Sequence, residues 1–206
     1  MQRGAPYNYF DGTLKDERTR CANALLRYNN ACQLTSGVSE EEAQKMLIKV
    51  FDPKQDSARP DAKGFPMEGH LGPGVKIEPG FRCTYGYNIR IFDNVFIGEN
   101  TRLDDSAKID IGARTWISAN VTILTNDVAK DAVQRKGTDG QQCSAQPVSI
   151  GPEVVIGTGA VIFPGVKIGR GSTIEPFAVV KESLADFSMQ RVYQGQPLAP
   201  LGSANY

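Results

Sequence analysis

The amino-acid sequence predicts a left-handed parallel β-helix with an N-terminal helical module, and three observations support this prediction. From residue 150 to residue 180, an Ile or Val recurs at every sixth position without a slip. A small or β-branched residue stands two positions before each of them, and glycine directly follows three of them. A six-residue period fits neither an α-helix nor a two-faced strand, but it fits a short strand and a tight corner, repeated. Three such sides close one triangular coil.

The recurring apolar residues are expected to point into the β-helix, each stacking on its counterpart in the next coil. The residue two positions earlier also points inward, near a corner, and must therefore be small. Gly151, Gly157 and Gly169 are expected to let the backbone turn where a Cβ would clash. The predicted inward anchors are Ile91, Ile97, Leu103, Ile109, Ile111, Ile117, Ile123, Ile150, Ile156, Ile162, Ile168, Ile174 and Val180.

Residues 1–73 are predicted to form the helical module and a linker. The first helix is expected over 13–33, capped by Thr13. A second helix is expected after Ser39, whose three following glutamates suit a helix N-terminus. The apolar face of the first helix is predicted to contain Leu14, Ala22, Leu25, Leu26 and Ala31, and that of the second Ala43, Met46, Leu47 and Val50.

Prolines and glycines between residues 52 and 73 predict an irregular connection. The β-helix is then expected over 74–185, followed by a C-terminal tail, 186–206. One segment, 126–146, is polar, lacks anchors and must leave the β-helix as an excursion loop. Long loops in a repeat scaffold are often functional, so this loop marks a candidate site.

Composition excludes several function classes. The 23 basic and 23 acidic residues give zero net charge, which argues against nucleic-acid binding. No apolar run is long enough to predict a membrane span, and no signal peptide is indicated. Four widely spaced cysteines and a single histidine make a metal site improbable and predict free thiols in the cytoplasm.

Several motifs resemble the maltose and galactoside O-acetyltransferases of the hexapeptide-repeat family over nearly the whole chain. The opening pattern of Tyr7, Asp11, Leu14 and Arg18 is similar to the helical module of that family. Residues 81–89, F-R-C-T-Y-G-Y-N-I, resemble its F-R-C-D-Y-G-Y-N-I signature. The excursion loop, its return at 147–151 and a G-Q-P near the C-terminus match the family as well.

The resemblance implies a homotrimer with clefts between subunits, acetyl-CoA as donor and a histidine in the excursion loop as general base. Here the position of that histidine falls on Val128, which cannot accept a proton. Asp127 is the expected substitute by position, whereas His70, the only histidine, is expected to be a solvated loop residue. The tryptophan on the donor side of the family falls on Val155, and Phe177 stands where small residues line its donor groove.

From the residues and the resemblance, the candidate site is assigned to one cleft. The predicted catalytic residues are Asp127, Asn126 and Asp105. The predicted substrate-binding residues are Tyr7, Asp11, Thr84, Tyr85, Tyr87, Asn88, Phe96, Gly98, Val128 and Val155. Tyr85, Tyr87 and Asp105 equally suit a structural role at a coil corner.

Three functions remain open at this point. The favoured hypothesis is a repurposed enzyme that binds a hydrophobic small molecule and guides a cofactor-free step, such as cyclisation or isomerisation. The second is a divergent acetyl-CoA-dependent O-acetyltransferase with a substitute base. The third is a non-catalytic trimer. Only the second requires acetyl-CoA; the first needs no cofactor.

Overall fold

The structure, a computed structural model, describes residues 7–33, 35–52, 69–132 and 142–191. Its main body is a parallel β-helix of about six turns, and an N-terminal helical module covers the first turn. This confirms the predicted fold class. The strands run from His70 to Gln190, so the β-helix begins before and ends after the predicted range 74–185.

The chain begins with strand β1 (Tyr7–Asn8), helix α1 (Gly12–Ala31) and helix α2 (Glu40–Phe51). Face one of the β-helix contains β2 (His70–Leu71), β5 (Ile89–Ile91), β8 (Ile109–Ile111), β13 (Val148–Ile150) and β16 (Lys167–Ile168). Face two contains β3 (Lys76–Ile77), β6 (Phe96–Ile97), β9 (Trp116–Ile117), β14 (Val155–Ile156), β17 (Thr173–Ile174) and β19 (Met189–Gln190). Face three contains β4 (Arg82–Cys83), β7 (Arg102–Asp104), β10 (Thr122–Leu124), β15 (Val161–Ile162) and β18 (Val179–Val180).

The predicted anchors form the core. On face two, Ile97, Ile117 and Ile156 lie in register on successive coils, and each is fully buried. Backbone hydrogen bonds join the coils, as where the Trp116 N–H donates to the Val154 carbonyl at 2.8 Å. Each coil therefore satisfies the backbone of the next one while adding one layer of apolar side chains.

The glycines after the anchors have a different role from the one expected. A Cβ on Gly157 would lie 2.4 Å from the backbone nitrogen of Pro176, which belongs to the next coil. The constraint is thus the close approach of successive coils, whereas the corners themselves need a positive φ. Asn100 and Asn120 supply it at one corner, with φ of 58° and 60°. Asparagine tolerates this conformation better than most residues.

Helix α1 begins one residue before the predicted start. Its N-cap is Asp11, whose side chain accepts from the Leu14 N–H, and not Thr13. Its buried face is also different from the predicted one. Ala22 and Leu26 are exposed, whereas the buried residues of α1 are Glu17, Cys21, Ala24, Leu25, Tyr28 and Ala31. The apolar residues alone did not define the face because a glutamate, a cysteine and a tyrosine complete it.

Helix α2 follows the prediction. Ser39 caps it, and Glu42 completes a reciprocal capping box. Its buried residues are Ala43, Leu47, Val50 and Phe51, while Met46 is half-buried.

The two helices close the open end of the β-helix. The Tyr28 hydroxyl of α1 donates to the Ile77 carbonyl, and the Asn29 side chain donates to the Phe81 carbonyl at 3.0 Å. The Phe51 ring of α2 stacks on Phe81 with centroids 6.3 Å apart. The cap thus shields apolar layers and free backbone groups that would otherwise end in water.

The excursion from the β-helix is a β-hairpin where it is described. Strands β11 (Asn126–Val128) and β12 (Gln142–Ala145) pair in antiparallel fashion, and β1 adds to the free edge of β12. Residues 133–141 of the predicted loop lie outside the described residues, as does the predicted tail beyond Arg191. None of the helices in the described part of the chain could cross a membrane.

We predict that Ile156→Ala lowers the free energy of unfolding by about 3–4 kcal/mol, because it leaves a cavity inside a stacked apolar layer. Val179→Ala is the control, since Val179 is an outward residue of face three and is 47% exposed. It should cost less than about 1 kcal/mol. Denaturant unfolding measures both values, and equal losses would contradict the inward assignment.

Candidate functional site

The candidate site residues fall into two groups on different sides of the β-helix. One group lies around the β11–β12 hairpin and the first two coils of face three. The other lies on face two, where outward residues of successive strands form a row. We call the first group the hairpin cluster, consisting of Tyr7, Tyr85, Asp104, Ser106 and Cys143. We call the second the face-two row, consisting of Phe96, Trp116, Val155, Thr173 and Met189.

The hairpin sheet presents one side to the β-helix. Tyr7, Cys143 and Val128 lie opposite one another on its three strands, so their side chains share one side. Cys143 and Ala145 are buried, which identifies that side as the one packed against the β-helix. Val128 is 42% exposed at its rim.

Asp127 lies on the other side of this sheet. It is paired with Ser144 and is exposed to solvent. Because side chains alternate along a strand, its carboxylate points away from Tyr7 and Cys143. Asn126 alternates with it and shares the side of Val128, half-buried. Two of the three predicted catalytic residues, Asn126 and Asp127, therefore point to opposite sides of the hairpin sheet.

Asp104 is the carboxylate that faces the hairpin cluster. It is 4% exposed, and one of its oxygens accepts from the Ser106 hydroxyl at 2.9 Å. The guanidinium of Arg102 lies 4.0 Å from its other oxygen. The Asp104 charge also acts on Tyr7 and Cys143, whose pKa values it raises. A carboxylate, two hydroxyls and a thiol thus meet beneath the hairpin.

The Tyr7 hydroxyl is buried and has no hydrogen-bond partner among the described residues. Burial raises the pKa of Tyr7, and the Ser106 side chain, which is close enough to stabilise the phenolate but does not meet hydrogen-bond geometry with it, opposes that shift. A buried hydroxyl without a partner loses the hydrogen bonds it makes to water, at a cost of about 1–3 kcal/mol. Such a group at a polar cluster is therefore suited to bind a ligand hydroxyl.

Cys143 is buried beside Asp104. Burial raises the pKa of the Cys143 thiol, and the charges of Asp104 and Asp127 raise it further. Because the thiolate is the nucleophile, this environment disfavours covalent catalysis by Cys143.

Asp105 organises the corner that carries the family-like signature. It is fully buried, and its carboxylate accepts from the backbone N–H groups of Thr84, Tyr85 and Gly86, each at 2.8 Å. The Asn88 amide donates to the Asp105 carbonyl at 2.7 Å. Burial raises the pKa of Asp105 to about 6, against the opposing effect of these three N–H donors. In this arrangement, Asp105, Thr84 and Asn88 shape the site and hold Tyr85 in place.

Helix α1 supports the tyrosines of the signature. The Arg18 guanidinium donates to the Tyr85 hydroxyl at 3.1 Å and to the Tyr9 carbonyl at 2.9 Å. Burial raises the pKa of Tyr85 to about 12, although Arg18 lowers it. Arg20 donates to the Tyr85 carbonyl and lies 6.0 Å from the Tyr87 ring.

The remaining predicted binding residues are farther from this cluster. Asp11 caps α1 at the solvent-exposed side. Gly98 is a packing residue, because a Cβ there would lie 2.7 Å from the Ala119 nitrogen. Phe96 stacks on Trp116 with centroids 4.1 Å apart, and Trp116 lies in register with Val155. A single chain does not bring the face-two row and the hairpin cluster together.

Sequence reasoning missed four residues of the arrangement: Arg18, Asp104, Ser106 and Cys143. Asp104 stands in an Asp-Asp pair, and the choice between the two depends on which one points at the hairpin. Cys143 carries no sequence signal, because only the strand pairing shows that it lies opposite Tyr7. No grouping of acidic, cysteine or histidine side chains within the described ranges could hold a metal ion.

Comparisons with known families agree with this architecture. The maltose acetyltransferase hexapeptide capping motif matches residues 1–54, and the bacterial transferase hexapeptide (six repeats) matches residues 147–182. No curated protein sequence gives a significant match.

Solved structures provide further relatives. A maltose O-acetyltransferase from Clostridium difficile 630 is 28% identical, with a TM-score of 0.75, over 90% of this chain and 87% of that one. A hexapeptide-repeat acetyltransferase from Vibrio cholerae O1 biovar eltor, solved with acetyl coenzyme A, is 24% identical (TM-score 0.72; 90% and 87% covered). A galactoside acetyltransferase in complex with coenzyme A is 23% identical (TM-score 0.75; 90% and 81% covered). The last two show the fold alone. The predicted resemblance to the maltose and galactoside O-acetyltransferases is thus confirmed.

We predict that Asp105→Asn lowers the free energy of unfolding by about 2 kcal/mol at pH 7, because an amide cannot accept from all three N–H donors. Asp127→Asn is the control, since the Asp127 side chain is exposed and should leave stability within about 0.5 kcal/mol. Chemical denaturation of both variants measures the difference.

The raised pKa of Asp105 also predicts a pH dependence. A folded pKa of about 6 lies above the value of about 4 expected in the unfolded chain. The folded state therefore binds the proton more tightly, and this contribution to stability is lost as pH rises from about 4 to about 6. The free energy of unfolding of the wild type minus that of Asp105→Asn should fall as the pH rises through that window. A rising difference would mean that the N–H donors outweigh burial.

Proposed function

We propose that the protein is a divergent acetyl-CoA-dependent O-acetyltransferase that acts on a hydroxyl group of a small molecule. The observation that carries this proposal is the unpartnered, buried Tyr7 hydroxyl beside the Asp104–Ser106 pair. It lies in an acetyltransferase fold, one of whose solved relatives contains acetyl coenzyme A. This reverses the order of hypotheses from the sequence, because the comparisons support acetyl transfer at least as well as a cofactor-free step.

In the proposed reaction, the acceptor hydroxyl binds at the hairpin cluster, beside Tyr7 and Ser106. Its oxygen attacks the thioester carbonyl, its proton passes to a carboxylate, and the coenzyme A thiolate leaves. Asp104 is the proposed base, because it faces the cluster and already accepts a hydrogen bond from Ser106. Asp127, which the sequence favoured as the base, lies on the outer side of the hairpin sheet, and mutation of each aspartate compares the two candidates. Asn126 is proposed to contact the acceptor, and Asp105 to act only by positioning residues 84–86.

The predicted donor groove is a second place, after the position of the missing histidine, where this chain departs from the resembled family. Phe177 has a φ of 62°, a conformation that usually favours glycine, and its side chain is 69% exposed. Its ring covers Gly159, where a Cβ would lie 2.6 Å from the ring. We therefore expect weak donor binding that strengthens when Phe177 is replaced by glycine.

The second candidate is the cofactor-free step on a hydrophobic small molecule. Two features favour it: Val128 occupies the inner rim of the hairpin, and the exposed Phe177 stands at a position that the resemblance assigns to the donor groove. In this alternative the tyrosines and Asn126 orient the ligand, and no base for acetyl transfer is needed.

A homotrimer is part of the proposal. The resemblance to the maltose and galactoside O-acetyltransferases implies a trimer, and here the two candidate groups lie on different sides of one chain. The face-two row is mainly apolar, and three of its members are exposed, with Trp116 at 51% and Met189 at 56%. Packing this row against a neighbour would bury it and place Phe96 and Val155 at the hairpin cluster of that neighbour. The free cysteines favour a reducing, cytoplasmic location.

Titration calorimetry with acetyl-CoA and with CoA tests the function. We expect acetyl-CoA to bind, Phe177→Gly to tighten binding, and a panel of hydroxyl acceptors to reveal turnover. Absence of binding at millimolar concentration for both wild type and Phe177→Gly would reject acetyl transfer and leave the cofactor-free candidate.

The base is tested by mutation. Asp104→Asn should lower kcat about 100-fold or more, because general-base catalysis typically contributes a factor of that size. Asp127→Asn should change kcat by less than about threefold, since its carboxylate points away from the cluster. Thermal unfolding of each variant separates loss of catalysis from loss of fold, and the opposite ranking would return the role to Asp127.

The trimer is tested by a charge on the face-two row. Trp116→Glu should reduce the sedimentation mass from trimer to monomer, because a carboxylate would be buried in an apolar contact. Lys167→Glu, on the outward row of face one, is the matched control and should remain trimeric. A monomeric wild type, or a trimeric Trp116→Glu, would contradict the proposed interface.

A further inference from the structure

Two thiols meet where the cap joins the β-helix. The Sγ atoms of Cys21, on α1, and Cys83, on β4, are 3.5 Å apart. Cys21 is fully buried, and Cys83 is paired in register with the core anchor Leu103. Cys83 therefore takes the inward position of the first coil on face three, directly beneath the capping helix.

This contact is specific to these two cysteines. Cys32 lies eleven residues further along the chain from Cys21, at the C-cap of α1, which corresponds to about 16 Å along a helix. Cys143 is buried in the hairpin cluster, opposite Tyr7. All four cysteines are free in the structure.

We propose that Cys21 and Cys83 are an oxidation site, forming a disulfide that fastens the capping helix to the first coil. A disulfide requires the sulfur atoms to approach to about 2.05 Å, so only a small movement separates the observed contact from a bond. Since the pair joins residues 62 positions apart, the bond would restrict a long stretch of the unfolded chain.

The reaction takes a low-molecular-weight disulfide, such as oxidised glutathione, as oxidant. One protein thiolate attacks a sulfur of that disulfide and releases one reduced thiol. The second protein thiol then displaces the other thiol, so that one protein disulfide and two reduced thiols result. The two electrons pass from the protein to the oxidant. Because burial raises the pKa of the Cys83 thiol, attack is expected when the cap opens locally.

The bond would act on the candidate site through α1. This helix carries Arg18 and Arg20, which hold the hydroxyl and the carbonyl of Tyr85. Fastening α1 to β4 would keep that wall in place. Oxidation would therefore suppress opening of the cap while leaving the hairpin cluster intact, whatever reaction the cluster performs.

The test is incubation of the full-length protein with excess oxidised glutathione, followed by intact mass and a non-reducing peptide map. We expect the loss of two hydrogen atoms, a peptide cross-link between Cys21 and Cys83, and reversal by dithiothreitol. Amide exchange within α1 should slow by at least about tenfold, because the disulfide disfavours local opening.

Variants decide the assignment. Cys21→Ser and Cys83→Ser should each abolish the mass loss, and Cys32→Ser should retain it. If either variant fails to fold, the double variant Cys32→Ser/Cys143→Ser contains only the proposed pair and must still lose two hydrogen atoms. Glutathione adducts without a cross-link, linkage between chains, or unchanged exchange in α1 after cross-linking would each overturn the proposal.

Discussion

Backbone hydrogen bonding between coils is the interaction on which the rest of this structure depends. Each coil donates to and accepts from its neighbours, as where the Ser118 N–H donates to the Ile156 carbonyl at 2.9 Å. This arrangement fixes the spacing of the coils and requires an inward apolar residue at every sixth position. It also explains why a glycine such as Gly157 is needed where two coils approach closely. Residues that differ from the repeat are then confined to the corners, the two ends and the outward rows.

The candidate site lies where those exceptions meet. The cap contacts the first coil through Arg18 and Tyr85. The hairpin leaves the β-helix directly after β10, whose last residue, Leu124, is paired with Asp104. Asp105 connects the two regions, because its carboxylate holds the backbone of residues 84–86. Polar groups in a repeat protein are costly to bury, and here they are buried together and largely satisfy one another. Within the described residues, the Tyr7 hydroxyl is the buried group of this cluster without a hydrogen-bond partner.

The faces of the β-helix differ in the polarity of their outward side chains. Face one carries ion pairs, such as that of Arg90 with Asp110 at 2.7 Å, and it suits contact with water. Face two carries the half-buried Phe96 ring stacked on the exposed Trp116 ring. The same repeat thus presents a charged surface on one side and an apolar surface on another. This asymmetry suits the proposed trimer, in which the face-two row of one chain would contact the hairpin cluster of its neighbour.

The sequence by itself determined the β-helix, its anchors, the second helix and the position at which the chain leaves the repeat. It could do so because a six-residue period and a capping box are local patterns, each readable from neighbouring residues. Only the tertiary structure decided which of Asp104 and Asp105 faces the hairpin, and that Asp127 points away from Tyr7. It also placed Cys21 against Cys83 and Cys143 opposite Tyr7. These are contacts between residues far apart in the chain, and side-chain direction on a short strand depends on register, which a single sequence does not record.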